Sequence, residues 1–446
     1  MASADQFEIA ERLSRAALAA GAEAHDVMIV ESASTSVGVR GGELEKLESH
    51  SARDVGLRVL MGQRQASVSG SDVSEAALDA LAQRAVAMAR IAPEDPHCGL
   101  ADPSQLATTV PDLDLADPDE INPEDLRARA ETLDRAASAV EGVSQAEGAS
   151  AGAVRSAFTY LASSGFRGGW LTTRHTLGVS AFASRDGQME RDYDFHGQRY
   201  LSDLPSAEAV GRTAGERVIA RLGARQMDSA TLPVLFDRRV ADGLLGAFLS
   251  AVSGVSVARG TSFLLGKMGE RIFPKGMTLT DDPLRRRGLG SRPFDAEGLP
   301  CAPLDIVEDG VLRHWLLNLS TARKLGMDST AHANRGVGSP PSVSPSNVHI
   351  PAGALSRDAL MAKTGHGLLV SEMFGPSLNP NTGDYSVGVA GFAIRDGALA
   401  HPVSEITIAG NLLDMFDALE AADDLVWDGA RVSPTVLVGE LTVAGG

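Results

Sequence analysis

Glycine turns set between alternating apolar runs constrain this chain more than any other feature. Gly41-Gly42, Met61-Gly62, Asp186-Gly187, Asp309-Gly310 and Asp396-Gly397 each separate two such runs. Short turns rich in positive φ join antiparallel strands, whereas parallel strands need a crossover of about a dozen residues or more. Both halves of the chain are therefore expected to be built on antiparallel sheet. In the first half, segments 25–40 and 52–69 alternate Val, Thr, Ser, Ile and Leu and read as strands, as do 145–163, 169–185 and 188–200. Helical spacing replaces alternation where Phe7, Ile9, Ala10, Leu13, Ala16 and Ala17 share a face that ends at Gly21. It returns over 74–91, over 124–140 and over Ala207–Leu222, which Gly223 ends. Between the second and third helices, residues 92–123 collect six prolines among many aspartates and read as a long surface connection.

The length of 446 residues exceeds what one ordinary core organises, so two domains are expected. The boundary falls near 225, where helix gives way to the strand-like TLPVLF at 231–236 and a helix at 238–253. The remainder of the chain is mostly short strands, ending in TVLVGELTV at 435–443. The fold class is α+β. An N-terminal domain of antiparallel strands and helices (1–225) precedes a C-terminal antiparallel β-barrel-like domain (226–446).

Charge excludes one class of partner. Forty Lys and Arg against 58 Asp and Glu leave a net charge of −18, which repels a polyphosphate rather than releasing its counterions. Nucleic-acid binding is not expected. Asp5, Glu8 and Glu11 in the first helix are wrong for a signal peptide, and no apolar run reaches the roughly 18 residues of a membrane span. The expectation is a cytoplasmic chain with no membrane contact. Cys98 and Cys301 form neither a CxxC pair nor a disulfide framework.

Catalytic motifs are absent where they would be informative. A zinc hydrolase typically sets two His on one helix face around a Glu, so that both imidazoles reach the ion and the carboxylate reaches its water. None of the ten histidines has another within five residues. His332, His349 and His366 recur at intervals of seventeen, but in separate strands and loops with no acidic consensus beside them. Neither a G-x-S-x-G elbow nor a phosphate-binding glycine loop occurs, and SGFRGGW at 164–170 reads as a turn between strands. The basic triplet Arg285-Arg286-Arg287 reads as a solvated or interfacial patch.

The most distinctive stretch is SLNPNTGDYSVGVAGFAIRDG at 377–397, followed by HPVSEITIAGNLLDMF at 401–416 and SPTVLVGELTVAG at 433–445. Through these residues the chain resembles the TldD/PmbA family, and within it the PmbA (TldE) branch. The resemblance implies an α/β N-terminal domain, a barrel-like C-terminal domain and a dimer enclosing a peptide-degrading chamber. In the TldD branch a helix carries an HExxxH pair, completed by a later Cys. The matching helix here, 238–252, has no His and no Glu, and no Cys follows Cys301. The implied role is a metal-free partner subunit, with zinc or another divalent metal held by an HExxxH-bearing TldD-type subunit and unfolded peptide as substrate. The alternative is a self-sufficient homodimeric peptide-binding or scaffolding protein. The family's link to DNA gyrase is not read as DNA binding, given the charge.

No catalytic or metal-ligating residue is assigned to this chain. Candidate substrate- or partner-binding residues are Ser377, Asn379, Asn381, Thr382, Asp384, Tyr385 and Ser386, a density of short polar groups suited to a peptide backbone. The competing reading is a rigid β-turn whose side chains satisfy their own loop.

Overall fold

The computed structural model describes residues 4–120 and 122–445. Six strands form the first sheet: β1 (Ala24–Arg40), β2 (Glu43–Met61), β3 (Arg64–Gly70), β4 (Val143–Ala162), β5 (Arg167–Arg185) and β6 (Gln188–Gln198). Their order is β3-β2-β1-β4-β5-β6, antiparallel throughout. Alternation directs Val27, Ile29, Val37 and Val39 of β1 to one face. Helices α1 (Ala4–Ala19) and α2 (Glu75–Ile91) cover Val27 and Ile29, while α3 (Pro123–Ser138) and α4 (Ala207–Arg221) cover Val37 and Val39. Each buried Val or Leu contributes roughly 1.5–3 kcal/mol here. Asn122 starts α3 by accepting the Asp125 N–H (2.8 Å), and Ser206 starts α4 by accepting that of Ala209 (3.2 Å). The two helices touch at Gly211, where a Cβ would meet the Leu133 carbonyl oxygen at 2.5 Å.

The opposite face of the sheet meets the second half of the chain. Met28, Tyr160 and Phe166 pack with Phe294, whose ring lies 4.7 Å from Phe166 and 4.9 Å edge-on from Trp170. Two residues from Met28, the fully buried Asp26 accepts from Arg58 across the strand pair (Nε, 2.7 Å) and from Arg335 of the second half. Burial alone would raise the Asp26 carboxyl. The two guanidinium groups outweigh it and hold the carboxyl below its ordinary value.

The second half opens with β7 (Ala230–Phe236) and α5 (Arg238–Ala251). β7 joins strands Gly367–Leu378, Asp384–Arg395, Ala398–Asn411 and Val436–Ala444. The last two also pair with each other, which closes a five-stranded barrel. α5 buries Leu244, Leu245, Phe248 and Leu249, and Phe248, Phe273 and Phe416 form a ring cluster with centroids 4.9–5.8 Å apart. A sheet of short strands, including Leu279–Asp281 and Leu304–Glu308, completes this half. Among the described residues no helix is long and apolar enough to cross a membrane.

Four features depart from the sequence reading. β2 starts at Glu43, not 52: its first nine residues are exposed on both faces, so no apolar alternation marks them, and the ladder to β1 holds them extended. β7 pairs with Gly367–Leu378 in parallel, which the long excursion between them permits. Four short helices at 254–259, 319–325, 357–364 and 412–417 interrupt the expected run of strands. The proline-rich connection is not confined to the surface. Leu113, Leu115 and Asp117 are buried, and Arg286 and Arg287 reach Asp114 at 3.2 and 2.7 Å, so the segment is a strap between the sheet edge and the second half.

One buried acid makes stability depend on pH. Glu297 is 3% exposed, and its carboxylate accepts the Leu319 N–H at 2.9 Å. Burial and the neighbouring Asp295 push its pKa up to about 8, against the pull of Arg58. A carboxyl with a higher pKa folded than unfolded takes up a proton on folding. Stability therefore declines as pH rises from the ordinary carboxylate range toward the folded value. Glu297→Gln keeps the acceptor and removes the titration. Its urea midpoint should vary less than the wild type's between about pH 5 and pH 8; parallel pH profiles would refute this origin.

Candidate functional site

The polar loop at the barrel's end is a hairpin connection between strands Gly367–Leu378 and Asp384–Arg395. Its backbone closes on itself. Asn379 N–H donates to the Asp384 carbonyl and Gly383 N–H to the Asn379 carbonyl, both at 2.9 Å. Gly383 adopts a φ of 81°, which its missing Cβ permits. Three of the seven candidate side chains are spent inside this turn or beside it. Asn379 accepts the Asn381 N–H (3.0 Å), the Thr382 hydroxyl donates to Asp384 (2.7 Å), and Asp384 also accepts from the Asn411 amide (3.1 Å). The Thr382 hydroxyl and the Asn411 amide hold the Asp384 carboxyl below its ordinary value.

Tyr385 turns inward. It is buried, its hydroxyl lies 3.4 Å from the Met373 sulfur, and burial pushes its pKa up to about 12. Ser377 and Asn381 are exposed and Ser386 is half-buried; among the described residues none of the three makes a side-chain hydrogen bond. The structure thus gathers the seven on one hairpin but divides them into a self-satisfied turn, a core tyrosine and three free polar groups. Asn411 was not among the candidates. It ties the loop to the next strand by donating to the Thr382 carbonyl (2.9 Å), while its oxygen caps the helix beginning at Leu412 through the Leu413 N–H (3.0 Å). An Asn at a strand-to-helix junction is the sequence signal for that role.

Helix α5 packs beside the same strands. A Cβ on Gly243 would approach the Met373 terminal carbon at 2.8 Å. Asp237 caps the helix through the Arg239 N–H (3.0 Å). Its half-buried polar side is a row of ion pairs: Arg238 with Asp428 (3.4 Å), Arg239 with Asp192 (2.7 Å) and Asp242 with Arg431 (2.9 Å). Of the three spaced histidines, His332 is buried and bound to Asp281 (3.0 Å), while His349 packs its ring on Trp427 (4.9 Å). Among the described residues no group of three or more His, Cys, Asp and Glu is arranged to hold a metal ion.

Three family domains match in succession: PmbA/TldA metallopeptidase domain 1 over residues 25–89, the central domain over 116–222 and the C-terminal domain over 229–445. The metalloprotease PmbA of Escherichia coli O157:H7 is 37% identical over 94% of this chain and 92% of its own length. The chain belongs to the PmbA/TldD metallopeptidase family. A PmbA homologue from Haemophilus influenzae is 34% identical over 96% of this chain and 93% of its own. The fold is shared along the whole chain with a candidate modulator of DNA gyrase from Bacteroides thetaiotaomicron (TM-score 0.92, 27% identity, all of both chains). It is shared as well with TldE from Thermococcus kodakarensis (TM-score 0.86, 20% identity, 98% of this chain and all of that one).

Membership of the PmbA/TldD family raises the question of a metal, and among the described residues neither α5 nor Cys301 fits one. The charged residues of α5, Arg238, Arg239 and Asp242, are already engaged by Asp428, Asp192 and Arg431, and the helix has no His or Glu along its length. Cys301 is buried, and its thiol is pushed up to about 12 by burial, which disfavours the thiolate a metal needs. No step of chemistry is therefore assigned to a metal in this chain.

Proposed function

We propose that this chain is a metal-free partner subunit of a PmbA/TldD-type metalloprotease that processes unfolded peptides in the cytoplasm. A TldD-type subunit bearing HExxxH supplies the metal. The observation that carries this reading is the ion-paired face of α5, where Arg238, Arg239 and Asp242 stand on the helix that the resemblance assigns to metal binding. The residues before and after 225 act as two domains. The free polar groups of Ser377, Asn381 and Ser386 face the shared chamber or the partner, on a loop that Asn379, Thr382, Asp384 and buried Tyr385 hold rigid.

Metal content tests the reading. After mild dialysis the purified chain should carry far less than one zinc per molecule by elemental analysis, because no group of three or more His, Cys, Asp and Glu among the described residues is arranged to enclose the ion. One tightly held zinc per chain would overturn the assignment.

A further inference from the structure

A second site emerges at the edge of the first sheet, far along the chain from the barrel loop. Thr173 of β5 directs its backbone away from β4. Its N–H donates to the Leu115 carbonyl of the strap (3.0 Å), and its carbonyl accepts from Arg199 (3.2 Å). In a strand the N–H and C=O of one residue point the same way, and the direction repeats every second residue. Leu171 and Gly169 therefore aim their backbone groups outward too. β6 ends at the rung pairing Gln198 with His175, and no backbone bond from the described residues of the strap reaches Gly169 or Leu171.

A cavity of about 690 Å³ opens at this bare edge, between Arg167–Leu171 and the strap residues 110–116. Phe7 stands on the side of the sheet that α1 covers, and Trp170 and Pro293 on the other, so apolar walls flank the edge above and below. Leu171 also lines an adjoining hollow of about 460 Å³ with small residues such as Ala33, Ser51 and Ala157. The charges around the cavity are already committed except at Asp112, whose exposed carboxylate accepts, among the described residues, only the Asp114 N–H (3.0 Å). Arg167 lies over the Phe7 ring (3.9 Å) and 3.6 Å from Glu11, while Asp114 is held by Tyr200, Arg286 and Arg287. Along the sheet edge itself the unpaired backbone groups facing the cavity are the N–H and C=O of Gly169 and Leu171.

We infer that this edge is a strand-addition site for an extended polypeptide, which pairs its backbone with Gly169 and Leu171 and sends alternate side chains toward Phe7 and toward Trp170. A ligand without a peptide backbone would leave the two rungs unpaired, and one without apolar side chains would leave the walls bare. The choice of polypeptide rests on the peptide-handling reading above. The site itself belongs to this chain alone, so it can fail while the partner-subunit reading stands.

The test uses the full chain without metal or partner. A short fluorescein-labelled peptide of alternating Leu and Thr with terminal lysines is titrated with protein and followed by anisotropy. Saturable binding is expected for the wild type and for Gly169→Ala, which keeps the N–H. Gly169→Pro loses that outward N–H without touching the ladder to β4, and should bind at least about tenfold more weakly. The same peptide with alternate amides N-methylated should also weaken. Should Gly169→Pro fail to fold, hydrogen exchange on the wild type decides, with the Gly169 and Leu171 amides fast in the free chain and protected when the peptide is bound. Absence of saturable wild-type binding, undiminished binding by folded Gly169→Pro, or unchanged exchange at both amides overturns the inference.

Discussion

Asp26→Ala is expected to cost about 3–5 kcal/mol of folding stability. The carboxylate is fully buried, receives Arg58 Nε at 2.7 Å and is also bound by Arg335, and both guanidinium groups are themselves almost wholly buried. Removing it leaves two cations in a low-dielectric interior without their counter-charge. Two desolvated cations facing each other cost more than the lost hydrogen bonds alone. Replacing all three by apolar residues of similar size (Asp26→Leu, Arg58→Met, Arg335→Met) should cost less than Asp26→Ala, because no charge is then stranded. The pH dependence has a definite sign. The folded pKa of Asp26 is depressed, so its contribution is present above the ordinary carboxylate pKa and is lost as pH falls through the folded value. Urea unfolding of the single and triple variants checks the argument; an Asp26→Ala cost under about 1 kcal/mol would contradict it.

That triad marks where sequence reading stops. Asp26 lies within an alternating strand and looks like any polar strand residue; Arg335 is 309 positions away. Nothing local announces that the fold brings them together. What a chain encodes locally is legible: the first helix with its stop at Gly21, the hairpin turns, and, β2 apart, the strands of the first sheet to within a few residues. Sequence alternation starts β2 at 52 because residues 43–51 bury neither face, and periodicity reports burial rather than extension. The strap reads as a surface loop because its prolines and aspartates outweigh the short Leu113–Leu115 alternation that buries it.

The candidate loop shows the same limit at a finer scale. Its composition identified a rigid, polar hairpin, but composition does not say which groups the turn consumes. Asn379, Thr382 and Asp384 serve the turn, Tyr385 serves the core, and only Ser377, Asn381 and Ser386 remain free. The bare edge at Gly169 and Leu171 was invisible for a related reason. SGFRGGW reads as a turn between strands, though its second half, Arg167–Trp170, already belongs to β5, and the missing neighbour is a property of where β6 ends.

On the proposed reading this chain completes a protease without supplying its metal, and reconstitution with an HExxxH-bearing subunit distinguishes that from independent catalysis. The purified chain, an HExxxH-bearing paralogue from the same genome and their mixture are each incubated with an unfolded peptide, with and without a chelator. α5 offers only ion-paired arginines and aspartates, so the chain alone should produce no cleavage above buffer. The mixture should cleave, and chelation should reduce its rate at least about a hundredfold, since the metal's electrostatic contribution to the barrier is several kcal/mol. Chelator-insensitive turnover by the single chain, free of contaminating protease, would contradict the account.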